Sequence, residues 1–337
     1  MADPDVIGAA YLSQLTEGDL RALVHADEVS AAEAEVRLQA LRRAPGLLLD
    51  VLDRPGASAD LLNLASAQDS ERFAFISPFL VFAAAIHRVA ADLRGSGYVP
   101  ERTTARLRVP VFDAAQLADY LADPAHRLFL AELLASFARS ASGVIVTQTP
   151  HGPRRRRWND LDVGRLAMLL DALPEPDRPP VWRRLGDLAL FLAGVFPAAI
   201  ERALSGRLDP ARLARTTGLP ALPASGLGPA ELFEWLGAGW YRLAAQHVGT
   251  AGGAGVSPRA VSPHAVSPHA ARQHAVTPPA VSPAQPGQVP PARAAVTATA
   301  AALRDNAEHF HQARRVLNAA ADRYLFPVSI DWLAGPG

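Results

Sequence analysis

Ser77-Pro78, Asp123-Pro124 and Asp209-Pro210 each set a side chain able to cap a helix directly before a proline. A capping oxygen accepts from backbone N–H groups left over at a helix start. Proline suits the first turn because its missing N–H would have been unpaired there. Ser30-Ala31-Ala32-Glu33 and Asp113-Ala114-Ala115-Gln116 have the form of a capping box, in which hydroxyl or carboxylate and the acid or amide three residues on satisfy orphan N–H groups reciprocally. Gly218 fits a helix stop. A chain with so many marked helix starts is confined to a mostly helical fold.

The apolar pattern agrees. From Pro180 to Phe196, Val181, Leu185, Leu188, Leu192 and Val195 follow the helical period, with Phe191 and Phe196 widening the stripe. Pro229 to His247 carries Leu232, Phe233, Leu236, Trp240, Leu243 and Ala244 in the same way. In a last helix, from about Ala298 to Leu325, Leu303, Phe310, Leu317 and Tyr324 fall seven residues apart, a seam for lengthwise packing in which Arg314 reads as a flank position. Strand signals are few. Arg106 to Phe112 alternates, but Pro110 demotes it. Gly143 to Thr147, a turn at Thr149 to Pro153, and Arg154 to Trp158 predict one protruding hairpin.

From Val256 the chain repeats a five-residue unit built on Val-Ser-Pro and stays proline-rich to Pro291. A proline in nearly every unit forbids helix, and the lack of large apolar residues forbids a core. Residues 250–295 are therefore expected to be a disordered, proline-rich linker. Pro174 to Pro180 reads as a stiff connector and a seam between halves. The expected fold is all-α, a multi-helix bundle in two packed parts with at most one small β-hairpin. The parts are residues 1–173, and residues 181–249 joined by residues 296–334.

Composition removes several chemistries. Of the 337 residues none is cysteine, which excludes disulfides, thiolate catalysis and cysteine metal sites. All 33 basic residues are arginine, which excludes a Schiff-base lysine and the phosphate-gripping lysine of a P-loop. Abundant Ala, Arg, Gly and Pro without lysine fits the coding bias of a GC-rich bacterial genome. The net charge of zero gives no bulk pull toward nucleic acid or an anionic membrane. Met1 to Ile7 is acidic and lacks the basic region of a secretory signal. The most apolar run, Phe73 to Ile86, is broken by Ser77-Pro78 and falls short of the roughly 20 residues a membrane span needs. The expectation is a cytoplasmic protein without membrane contact.

Three blocks of the C-terminal half stand out: Arg184-Leu185-Gly186-Asp187-Leu188-Ala189-Leu190-Phe191-Leu192-Ala193-Gly194-Val195-Phe196-Pro197, then Leu236-Gly237-Ala238-Gly239-Trp240-Tyr241-Arg242-Leu243-Ala244-Ala245, then the long final helix to Leu317-Asn318. In this order they resemble an uncharacterised family of bacterial all-helical proteins. The resemblance implies a helical fold and no activity. The Val-Ser-Pro insertion departs from the family's pattern.

Candidate chemistry is sparse. Arg154, Arg155, Arg156 and Arg157 followed by Trp158 could grip phosphates and stack on a base; the competing reading is a solvated arm pairing with Asp160 and Asp162. Arg304 to His309 has the Arg-polar-x-x-x-His form of HEPN-type ribonucleases, which it resembles over six residues. His264, His269 and His274 recur every five residues but lack a fixed scaffold for a metal, and His309 and His311 lie on different helix faces. Asp187, inside an apolar helix, reads as a partner of Arg183 one turn away. Gly186 and Gly194, on nearly one helix face, read as close-packing positions. Trp235, Trp240 and Tyr241 on one helix are explained by core packing. The sequence thus predicts a non-enzymatic interaction or scaffold protein with a protein partner, no cofactor, no metal and no firm catalytic residue. The alternative is a nucleic-acid-binding protein or a HEPN-like ribonuclease using Arg304 and His309.

Overall fold

A computed structural model describes residues 3–25, 30–66, 76–102, 107–138, 142–149, 152–206, 208–223, 226–248 and 291–326. The expected linker falls mostly outside the described residues.

Among the described residues six helices come first: α1 (Pro4–Gln14), α2 (Glu17–His25), α3 (Ala31–Arg43), α4 (Leu47–Leu52), α5 (Pro55–Ser66) and α6 (Pro78–Leu93). A hairpin of β1 (Val99–Arg102) and β2 (Arg108–Val111) leads to α7 (Ala114–Ala122) and α8 (Pro124–Phe137). A second hairpin, β3 (Ser142–Thr149) and β4 (Gly152–Asn159), precedes α9 (Val163–Leu170). Then come α10 (Pro179–Val195), α11 (Pro197–Gly206), α12 (Pro210–Thr217), α13 (Pro229–His247), α14 (Pro291–Glu308) and α15 (Phe310–Ala320), with a π-helical turn, Ala321–Leu325, at the end.

The caps form as their sequences dictate. Ser30, Ser77, Asp123 and Asp209 each accept from a backbone N–H in the first turn of the following helix. Gly218 ends α12 in the left-handed region at φ 81°. Asp113 makes no side-chain cap on α7; it is engaged by Arg315 instead. The ion pair with this half-buried guanidinium takes the place of the weaker capping bond.

The fold is all-α, as expected, with the hairpin at residues 142–159 in place. The β1–β2 hairpin is additional, and corrects the expectation of at most one. Pro110 does not break it because Pro100 faces it across the ladder. In antiparallel pairing alternate residue pairs exchange no backbone hydrogen bonds, so two opposed prolines leave no donor missing.

Two apolar cores form, divided elsewhere than at residues 174–180. One gathers Tyr11, Leu23, Leu38, Leu48, Leu52, Leu61, Leu80 and Leu128 around the N-terminal helices. The other is continuous from Ile86, Leu117, Leu130 and Leu166 to Leu185, Trp240, Phe310 and Leu317. Residues on both sides of the expected seam share that second core. The division runs through α6 and α8, each of which gives residues to both cores.

The seven-residue stripe of the last helix is buried at Leu303, Phe310 and Leu317, and Tyr324 packs against the core. Its partners are intramolecular, α10 and α13. The helix starts five residues before the expected part boundary, at Pro291, and it breaks at His309. Arg314 is not on a flank. It is 5% exposed and held between Glu101 and Glu234. Among the described residues no single helix is long and apolar enough to cross a membrane.

Candidate functional site

The break between α14 and α15 builds the most unusual polar cluster of the protein. Asp305 and His309 are one helical turn apart, so they share a face. The start of α8 brings His126 against them. His126 Nε2 lies 2.7 Å from one Asp305 carboxylate oxygen, and His309 Nδ1 lies 3.0 Å from the other. Tyr120, from the end of α7, stacks on the His126 ring with centroids 4.1 Å apart and planes at 14°. The His309 ring lies 5.2 Å from His126 and 5.7 Å from Tyr120. Among the described residues His126, Asp305 and His309 are the one group of three side chains disposed to hold a metal ion.

Proton accounting makes His126 unusual. Its Nδ1 lies 2.7 Å from the Tyr120 carbonyl oxygen, which can only accept, so Nδ1 carries a hydrogen. Its Nε2 faces a carboxylate oxygen, also an acceptor. A neutral imidazole would put a lone pair against that oxygen; the contact needs an imidazolium proton or a cation. The Tyr120 hydroxyl beside it is buried with no hydrogen-bond partner among the described residues. Burial raises its pKa, and Asp305 is the charge that raises it most.

His87 provides the contrast. It is buried in the N-terminal half, with Nδ1 2.7 Å from Asp53 and Nε2 3.1 Å from the Tyr11 hydroxyl. Here one partner accepts and the other can donate, so the neutral ring is satisfied. Burial lowers the His87 pKa against the opposing pull of the Asp53 hydrogen bond. Arg127, itself buried, donates to Asp53 at 3.0 Å. Burial pushes the Asp53 carboxyl up, but His87 and Arg127 outweigh it and its pKa falls. This network ties α1, α4, α6 and α8 together and is a structural clip.

His126 and Asp305 stand at a cleft of about 240 Å³ between α8 and α14, floored by Leu128, Phe129 and Leu303 and edged by Glu132, Arg183 and Asn306. Burial raises the Glu132 pKa, with Arg183 opposing. Behind it, Asp187 accepts a 2.8 Å hydrogen bond from the Tyr241 hydroxyl. Burial raises the Asp187 pKa; Arg183 lowers it, as the sequence spacing anticipated, and the Tyr241 bond adds to that.

Arg304 stands exposed on α14, while His309 turns toward His126 and Tyr120. Five residues of helix rotate through roughly 500°, which leaves their directions about 140° apart. The two are therefore not brought together. Arg154 to Arg157 lie on β4, opposite Thr147 to Val144, and their side chains fall outside the described residues. Trp158 packs partly buried against the main core, and Asp160 is claimed by Arg184 at 2.8 Å. The Val-Ser-Pro histidines also lie outside the described residues. His309 and His311 do not form a ligand pair, since the His311 ring pairs with Glu234. The usable signal was Asp305 and His309 at i, i+4; His126 was invisible without the fold.

A second surface feature lies on the β1–β2 hairpin. Tyr98, Leu107, Val109 and Phe112 are exposed, Phe112 at 80%, with the Tyr98 and Phe112 rings 6.1 Å apart. The hairpin is anchored: Arg102 and Asn318 exchange two hydrogen bonds, and Arg108 grips Asp322 with two at 2.7 Å.

No family model, curated protein or solved structure matches the chain.

Proposed function

We propose that the protein is a non-enzymatic, cytoplasmic interaction protein that binds a protein partner through the exposed apolar side chains of its β1–β2 hairpin. The observation that carries this reading is the grouping of Tyr98, Leu107, Val109 and Phe112 on a rigidly anchored element. Single exposed apolar residues are ordinary, but a group that includes an almost bare phenylalanine leaves apolar surface in water that a partner would cover. Aromatic anchors of this kind dominate binding energy at protein interfaces. The ribonuclease reading would need Arg304 and His309 in a shared cleft.

The test replaces Phe112 by a photo-crosslinking phenylalanine analogue in the living cell. A discrete protein adduct is expected, and Tyr98→Glu, beside the Phe112 ring, should abolish it in the same chain. Adducts indistinguishable from those formed at exposed Arg212 would refute the reading; an adduct to RNA would move it to nucleic-acid binding.

A further inference from the structure

We propose that His126, Asp305 and His309 form a binding site for a divalent metal ion of the zinc class, clipping α8 to the junction of α14 and α15. One ligand atom from each of the three lies within 4.8 Å of the others. Two imidazoles and a carboxylate are the donor set of borderline-soft divalent ions.

Three observations point to an ion beyond the clustering itself. First, the His126 ring has a hydrogen-bond acceptor at each nitrogen, the Tyr120 carbonyl at Nδ1 and Asp305 at Nε2. A cation in place of the Nε2 proton satisfies a neutral ring. Second, His126 has the outer support that metal-binding histidines use. Its Nδ1 donates to the Tyr120 carbonyl at 2.7 Å, which fixes the tautomer and leaves Nε2 for the metal. His309 Nδ1 faces an Asp305 carboxylate oxygen at 3.0 Å and the Asp305 carbonyl at 3.1 Å. Third, Tyr120, stacked on the same ring, keeps a buried hydroxyl without a partner among the described residues.

The geometry requires small adjustments. Bonds of about 2.0–2.1 Å in a tetrahedron place ligand atoms roughly 3.3 Å apart. The 2.7 Å contact between His126 and Asp305 must open, and the wider separations must close. The side chains of Asp305 and His309 are 43% and 37% exposed, so they can rotate, and the ion has a way in from solvent. His126, at 12%, is the fixed point. Three protein ligands leave one position of a tetrahedron for water or another ligand, and His126 and Asp305 also line the cleft.

The full chain is titrated with zinc by calorimetry and with cobalt(II) by visible absorption. The background carries His264→Asn, His269→Asn and His274→Asn, which removes the histidines of the pentad repeats. One equivalent of zinc is expected, with a rise in Tm and an intense cobalt spectrum of low coordination number. His126→Ala, Asp305→Asn and His309→Gln should each weaken binding by at least about tenfold. His311→Gln, whose ring pairs with Glu234, should leave it unchanged. His309→Gln sits on a partly exposed face and keeps the test alive if His126→Ala fails to fold. Absence of binding at submillimolar zinc, or binding equally tight in the three variants, would overturn the proposal and leave His126 as an imidazolium paired with Asp305.

Discussion

Gly194 meets Leu317 with no room for a side chain: a Cβ on the glycine would lie 2.6 Å from the Cβ of Leu317 and 3.2 Å from the Arg314 carbonyl oxygen. The same device recurs nearby. A Cβ on Gly237 would lie 2.3 Å from the Phe310 ring, and one on Gly186 would lie 2.7 Å from the Tyr241 ring. The final helices therefore approach α10 and α13 at backbone distance, which buries the seven-residue stripe.

Gly194→Ala should destabilise the protein. Alanine favours helix over glycine by about 1 kcal/mol, but the obstructing atom is a Cβ fixed to its backbone, so α15 itself must move. Overpacking of that kind costs typically 1–3 kcal/mol, and a net loss of about 1–2 kcal/mol is expected in urea denaturation. Gly97→Ala, with nothing within 4 Å of the added carbon, is the control and should change little.

Arg314→Ala should be among the most damaging substitutions in the chain. The guanidinium is 5% exposed and pairs with Glu101 and Glu234. Removing it leaves Glu101 with Arg315 alone and Glu234 with His311 alone at an interface of α15, β1 and α13, and breaking a buried pair costs up to about 3–5 kcal/mol. Burial pushes the Glu234 carboxyl up, but His311 and Arg314 outweigh it and its pKa falls; without Arg314 much of that support is gone. Chemical denaturation should show the loss, while exposed Arg212→Ala stays within about 0.5 kcal/mol of the parent.

His87 predicts acid sensitivity. Its folded pKa is lowered, so its contribution to stability is full above the unfolded value of about 6.5 and is lost as pH falls through the lower folded value. Asp53, also lowered, adds its loss only below about 3.9. Denaturation midpoints should therefore fall between pH 7 and 5, ahead of general acid unfolding. His87→Leu should flatten that slope while lowering stability at pH 7. Tyr11→Phe, which leaves the buried Nε2 without its donor, should cost about 1–3 kcal/mol. An unchanged slope in His87→Leu would assign the acid sensitivity to other groups.

Local rules carried most of the architecture. The Ser77-Pro78, Asp123-Pro124 and Asp209-Pro210 starts are helix starts, and Gly186 and Gly194 are close-packing positions, because capping and glycine clearance depend on near neighbours. Long-range matters stayed hidden. Arg314 looked like a flank because Glu101 and Glu234 are 213 and 80 residues away. Pro110 argued against a strand because its opposite number, Pro100, counts only once the hairpin is closed. Two of the three members of the His126–Asp305–His309 cluster stand in the sequence as an i, i+4 pair; the other histidine lies 179 residues from Asp305. The expected seam at residues 174–180 failed for the same reason: proline punctuates a chain locally and says nothing about which helices share a core.

Asp187 gives the opposite pH signature to His87. Burial raises its folded pKa, against the pull of Arg183 and of the Tyr241 hydroxyl. A carboxyl that binds its proton more tightly when folded contributes stability fully below its unfolded value, near 3.9, and loses it as pH rises through the folded value. The ionised form is thus a burden that grows toward neutral pH. Asp187→Asn keeps an oxygen to accept the 2.8 Å hydrogen bond from Tyr241 and removes the charge. The variant should gain stability relative to the parent as pH rises from 4 to 8. Glu132, whose carboxyl burial also raises, should respond in the same direction in Glu132→Gln. Denaturation midpoints measured across that range decide the matter. If the difference between Asp187→Asn and the parent stays constant with pH, Arg183 compensates the buried charge in full, and the cleft holds a matched ion pair in place of a strained acid.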